Sequence, residues 1–217
     1  MKKSAEIGVS AGRRRVALVT SGRPSAVGSL PAAAARLAAA GVTLIQIREK
    51  ALGGGELVRL TRAVLAAVAG TSCQVVVNGR LDVALAAAAH GVHLPGHGLA
   101  VLAARRLVAP PQVLGVSAHT PDEVKAAGDA GADYIFYGPA FATASHPGAA
   151  GIGPHGLQAA LAVARIPVWA IGGINPATVA CLDHLDLAGV ACIRALLAPG
   201  DPTAVVRALA GSSTSPE

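Results

Sequence analysis

Eight short apolar runs alternate with eight longer Ala- and Leu-rich stretches along this chain, and that alternation leaves few folds open. The runs are Val16–Thr20, Leu44–Arg48, Gln74–Val77, Gly91–Leu94, Gln112–Val116, Tyr134–Tyr137, Val168–Ile171 and Gly189–Ile193. They read as short strands buried on both faces of a parallel sheet. The stretches between them read as helices around Leu30–Ala40, Glu56–Ala69, Leu81–Ala88, Leu99–Val108, Pro121–Ala130, Leu157–Ala164, Pro176–Leu185 and Pro202–Ala210. Pro31, Pro121, Pro176 and Pro202 stand where a first helical turn tolerates a missing N–H. Eight strand–helix units are the number that closes a single (β/α)8 TIM barrel, a lean one at 217 residues. An open doubly wound sheet is the alternative.

No internal linker interrupts the alternation, so residues 15–217 are expected to form one α/β barrel domain. Residues 1–14 are expected to be a basic, disordered tail. Lys2, Lys3, Arg13, Arg14 and Arg15 bring five of the chain's 18 basic residues into its first fifteen positions, beside the single acid Glu6. The remainder is close to neutral. The tail lacks the apolar core of a secretory signal, and no apolar run reaches the roughly 18 residues that cross a bilayer. A cytoplasmic location is therefore expected, with no membrane partner. Aromatic residues make up only 2% of the chain. Base-stacking platforms are scarce, nucleic acid is not an expected partner, and Val, Leu, Ile and Ala are expected to build the core. Cys73, Cys181 and Cys192 are odd in number and lack a CxxC spacing, so they are expected to be buried small hydrophobes in a reducing compartment.

In a barrel, function sits at the C-terminal strand ends and the loops that follow. After the second strand, alternation puts Gln46 and Arg48 on one face with Lys50 just beyond, a set suited to a phosphate or pyrophosphate. Asn78-Gly79-Arg80 after the third strand reads equally as a ligand contact or as an Asn-Gly turn. His93 and His97 stand near each other, but no Asp, Glu or Cys completes a metal site in their loop. Ser117 and His119 share a face after the fifth strand, where His119 is placed to move a proton near neutral pH, and Thr120 is placed to cap the next helix. Thr143, Ser145 and His146 belong to a long loop suited to closing over a ligand. Gly172 and Gly173 let backbone amides approach an anion, and Arg194 adds a cation one strand over.

From about Arg15 to Ala210 the chain resembles the thiamine phosphate synthase superfamily. The resemblance is carried by Gln46-Ile47-Arg48-Glu49-Lys50, Asn78-x-Arg80, Gly91-Val92-His93-Leu94, Gly115-Val116-Ser117-Ala118-His119-Thr120, Ala132-Asp133-Tyr134, Gly138-Pro139 and Ala170-Ile171-Gly172-Gly173-Ile174. It implies two enzymatic branches. The synthase joins a pyrimidine pyrophosphate to a thiazole phosphate and uses Mg2+ held by two Asp. Here Gly79 and Gly98 stand at those two positions, which removes the hard oxygen ligands that Mg2+ takes. The TenI-like thiazole tautomerase branch carries Asn-Gly-Arg and Leu-Pro, as Asn78-Gly79-Arg80 and Leu94-Pro95 do here, and uses no metal. On that resemblance the chain is expected to be a metal-independent tautomerase, an isomerase of thiamine biosynthesis without cofactor. His119 would be its catalytic acid and base. Gln46, Arg48, Lys50, Asn78, Ser117, Thr143, Ser145, Gly172, Gly173 and Arg194 would bind a small phosphorylated thiazole. Arg194, where the resemblance implies Ser, either strengthens phosphate binding or fills the site. The alternatives are a Mg2+-dependent synthase and a non-catalytic phosphate-ligand-binding relative, and a homo-oligomer is compatible with each.

Overall fold

A computed structural model describes residues 13–22, 29–143, 148 and 150–211. Its strands are β1 (Arg15–Val19), β2 (Leu44–Ile47), β3 (Gln74–Asn78), β4 (Gly91–Leu94), β5 (Val113–Ala118), β6 (Tyr134–Tyr137), β7 (Val168–Ile171) and β8 (Gly189–Cys192). All neighbours pair in parallel, and β8 closes on β1 with Arg15 opposite Gly189 and Ala17 opposite Ala191. The fold is a single closed eight-stranded barrel, as the alternation predicts. The helices are α1 (Leu30–Ala39), α2 (Gly54–Ala67), α3 (Leu81–Ala86), α4 (Val101–Arg105), α5 (Pro121–Asp129), α6 (Gly153–Val163), α7 (Arg194–Leu197) and α8 (Pro202–Ala210). Thr120 caps α5, its hydroxyl accepting the Glu123 amide at 3.2 Å.

The helix expected over Pro176–Leu185 is reduced to a 3-10 turn, Val179–Leu182. Polar side chains before it capture the backbone. The Asn175 amide donates to Thr178 Oγ1 (3.1 Å), the Ala177 amide to Asn175 Oδ1 (2.8 Å), and Thr178 Oγ1 to the Gly173 carbonyl (3.0 Å). Such local bonds compete directly with an α-helical ladder.

Aliphatic residues fill the layer between barrel and helices. The barrel interior differs from the expected Val/Leu/Ile/Ala core: Tyr134, Phe136 and Trp169 pack there with Ala17, Val19, Leu44 and Val76. Three of the chain's five Trp, Tyr and Phe residues therefore sit at one place. Phe136 and Trp169 lie 5.9 Å apart between ring centroids, and Tyr134 and Phe136 5.4 Å, within the range of favourable aromatic pairs. Gly115 makes room for them, since a Cβ there would come within 2.1 Å of the Tyr134 ring. Residues 1–12 of the expected tail lie outside the described residues, whereas the Arg14 amide donates to Ala210 O at 3.1 Å. Cys73 and Cys192 are buried, which pushes both thiols up to about 12. Cys181, expected to be buried, is exposed within the 3-10 turn.

Candidate functional site

Period-two alternation carries polar side chains from four strands into the C-terminal mouth of the barrel, above the aromatic plug. Gln46 on β2 is buried, and its Nε2 donates to Asn78 Oδ1 on β3 at 2.8 Å. The next turn of chain is held to β1, where Thr20 Oγ1 accepts the Arg48 amide at 2.8 Å. Arg48 is half-buried and Lys50 exposed. Two cations and two amide groups thus stand on adjacent strand ends.

Below them, His93 on β4 is fully buried in the interior. Its Nε2 lies 2.9 Å from Ser117 Oγ on β5, and its Nδ1 lies 3.1 Å from Tyr134 OH on β6. Burial pushes this imidazole down to about 3, so it is neutral at physiological pH. A neutral ring has one N–H and one lone pair, which matches two hydroxyl partners. Burial, and secondarily Asp133, pushes the Tyr134 phenol up, so it remains an O–H. Ser117 is half-buried and presents the upper end of this chain to the mouth.

His119 lies one residue past β5 and is exposed. Its Nδ1–H donates to Gly138 O at 2.6 Å, and its backbone N–H donates to Glu123 Oε2 at 2.6 Å. The imidazole thereby ties the fifth loop to the sixth. Gly172 (φ 98°) and Gly173 (φ 67°) adopt conformations that L side chains avoid. Cβ atoms there would press on Pro139 Cα at 2.7 Å and Ala142 O at 2.7 Å, so the glycine pair lets the loop after β6 close down on β7. The Ala140 amide donates to Ile171 O (2.8 Å) and that of Phe141 to Gly172 O (3.0 Å) along the seam. Thr143 is half-buried and Arg194 exposed at the start of α7, while Ser145 and His146 lie outside the described residues.

The structure therefore brings Gln46 to Asn78 and Ser117 to His93, and places His119 on the sixth loop. It leaves Lys50 and Arg194 at the exposed periphery. Sequence reasoning missed His93 and Tyr134 as partners of Ser117. The signal was present in the alternation from Gly91, which turns residue 93 inward. Asp133, another motif residue, stands below β6 at the opposite end, where its Oδ2 accepts from Arg105 (2.8 Å) and the Leu114 amide (2.7 Å).

A family model described as thiamine monophosphate synthase matches residues 16–196. The thiamine-phosphate synthase of Moorella thermoacetica is 42% identical over 172 residues, 79% of this chain and 82% of that one. That of Anaeromyxobacter dehalogenans is 41% identical over 200 residues, 87% and 89% of the two chains. A solved structure of thiamine phosphate pyrophosphorylase from Pyrococcus furiosus superimposes with a TM-score of 0.80 at 28% identity, covering 90% of this chain and 93% of that one. These relatives overturn the expected assignment to the tautomerase branch, and with it the isomerase class. The expectation weighed two glycines and one Leu-Pro pair heavily, whereas the likeness to synthases runs over some four-fifths of both chains.

Proposed function

The chain belongs to the thiamine monophosphate synthase family, and on that premise we propose that it is a transferase that joins a thiazole phosphate to a pyrimidine carrying a pyrophosphate. A C–N bond forms to the thiazole as the C–O bond to pyrophosphate breaks. The identity of 42% to a thiamine-phosphate synthase across most of both chains carries this reading.

In this proposal the amide pair Gln46–Asn78 and the Ser117 hydroxyl read the polar edge of the pyrimidine. Fixed, partly buried donors discriminate strongly because a wrong ligand leaves them unpaired. Arg48 and Lys50 meet the pyrophosphate, where cations act on charge that builds on the leaving group. The Gly172–Gly173 segment, with Thr143 and Ser145, receives the thiazole phosphate, with Arg194 at its edge. His119 positions the loops around the ligand rather than shuttling a proton.

The synthase reading implies Mg2+, and the residues present do not fit it. Gly79 and Gly98 bring no oxygen side chain, and among the described residues no three His, Cys, Asp or Glu side chains are grouped as a metal would need. The test is direct. Purified protein with both substrates should yield thiamine phosphate and pyrophosphate in equal amounts, and neither when one substrate is omitted. Absence of product with both substrates, with and without Mg2+, would overturn the proposal.

A further inference from the structure

We infer that this barrel mouth handles its anionic ligand without a divalent cation, and that the Pro95 ring is what keeps the cation out. The nature of the anion rests on the synthase reading; the geometry does not.

Gly79 follows β3 and Gly98 lies in the loop after β4. The Gly79 amide donates to His93 O at 2.8 Å, which holds the two loops side by side. Pro95 stands between them. A Cβ at position 79 would lie 3.7 Å from Pro95 Cδ and 3.9 Å from its Cγ. A Cβ at position 98 would lie 3.0 Å from the same two ring atoms and 3.1 Å from Pro95 O. The Gly98 amide donates to that carbonyl at 2.9 Å, so the turn is closed tightly on the ring. Position 79 has φ of 68°, which Asp tolerates better than most residues. Position 98 is tight, so a side chain there needs the Pro95 ring to give by a few tenths of an ångström. The proline therefore takes the volume in which carboxylates from the two loops would have to converge, and Mg2+ demands near-octahedral oxygens at about 2.0–2.1 Å.

Two of the acids nearby, Asp82 and Glu123, are committed to other partners. Asp82 is forked by Arg80, Nε to Oδ1 at 2.9 Å and Nη2 to Oδ2 at 2.6 Å. Glu123 accepts the His119 amide. The Glu49 carboxylate lies toward the chain that follows β1, its Oε2 3.4 Å from where a Cβ on Gly22 would be. What remains for an anion is fixed positive charge, Arg48 and Lys50 on the loop after β2. A guanidinium offers a planar fork of donors to phosphate oxygens with no ion to recruit.

The experiment is a titration of the wild-type protein with Mn2+, a paramagnetic stand-in for Mg2+, read by electron paramagnetic resonance with and without pyrophosphate. Pyrophosphate binding is measured in parallel by calorimetry in EDTA. The expected result is no protein-bound Mn2+ beyond that carried by pyrophosphate alone, and pyrophosphate affinity within twofold in EDTA and in millimolar Mg2+. Stoichiometric Mn2+ on the protein, or a tenfold gain in pyrophosphate affinity with Mg2+, overturns the inference. Neither readout requires turnover, so failure of the synthase reading is recognised separately, by missing product. Gly79→Asp/Gly98→Asp is expected to gain no Mn2+ site, and adding Pro95→Gly to gain at least tenfold in Mn2+ affinity. Mn2+ binding by the double variant with Pro95 intact overturns the part given to the ring.

Discussion

The two ends of the barrel are built on opposite plans. At the N-terminal end a cavity of about 610 Å3 is lined by Arg13, Arg14, Arg15 and Arg207 together with Thr43 and Gln74. Its charges come from the chain leading into the first strand and from the last helix, and Arg14 is already paired with Asp183 at 2.6 Å. At the C-terminal end the polar groups come from β2, β3, β4 and β5, and they are joined to one another before any ligand arrives. Void volume and positive charge are therefore not what sets the proposed site apart. Preorganisation by several rigid strands distinguishes the mouth, because donors held in place cost no reorganisation when charge develops.

The aromatic plug keeps the two ends apart, so removing it is the strongest challenge to the comparison. Trp169→Ala should lower stability by about 3–5 kcal/mol, the usual cost of a large core truncation, measured by urea denaturation. A loss below about 1 kcal/mol would mean the interior is not packed as described. At the mouth, Arg48→Ala and Lys50→Ala should each lower kcat/KM for thiamine phosphate formation by about a hundredfold. Arg207→Ala at the other end should change it less than about twofold. Equal losses at both ends would erase the distinction.

The imidazole beneath the mouth carries a pH dependence of its own. His93 is pushed down to about 3 in the folded protein, while an unfolded histidine titrates near 6.5. Between those values the unfolded chain binds the extra proton. Stability is therefore full above about pH 6.5 and declines as pH falls, by up to about 1.4 kcal/mol per pH unit, flattening below about 3. Denaturation midpoints between pH 7 and 4 should show this slope, and His93→Gln should remove that residue's share. An unchanged slope in the variant would show that the imidazole is not held neutral. The smallest effect belongs to the opposite end. Asp183 is 60% exposed, so Asp183→Asn should cost less than about 1 kcal/mol, and less still in high salt.

What the sequence by itself determined was the barrel. Strand period, helix period and the turn residues between them repeat eight times, and β4, β6, β7 and α8 begin and end where the alternation puts them. Such patterns are local, so one chain suffices to read them. The family was legible in the strand-end motifs for the same reason. Tertiary structure alone decided which polar atoms meet. Gln46 reaches Asn78 across 32 residues of sequence, and His93 reaches Tyr134 across 41. No periodicity specifies those distances, because they depend on barrel register and on the space left by Gly115. The place of Pro95 between Gly79 and Gly98 was hidden likewise. In the sequence two carboxylates are simply missing, and only three-dimensional packing reveals a ring filling the gap they would need.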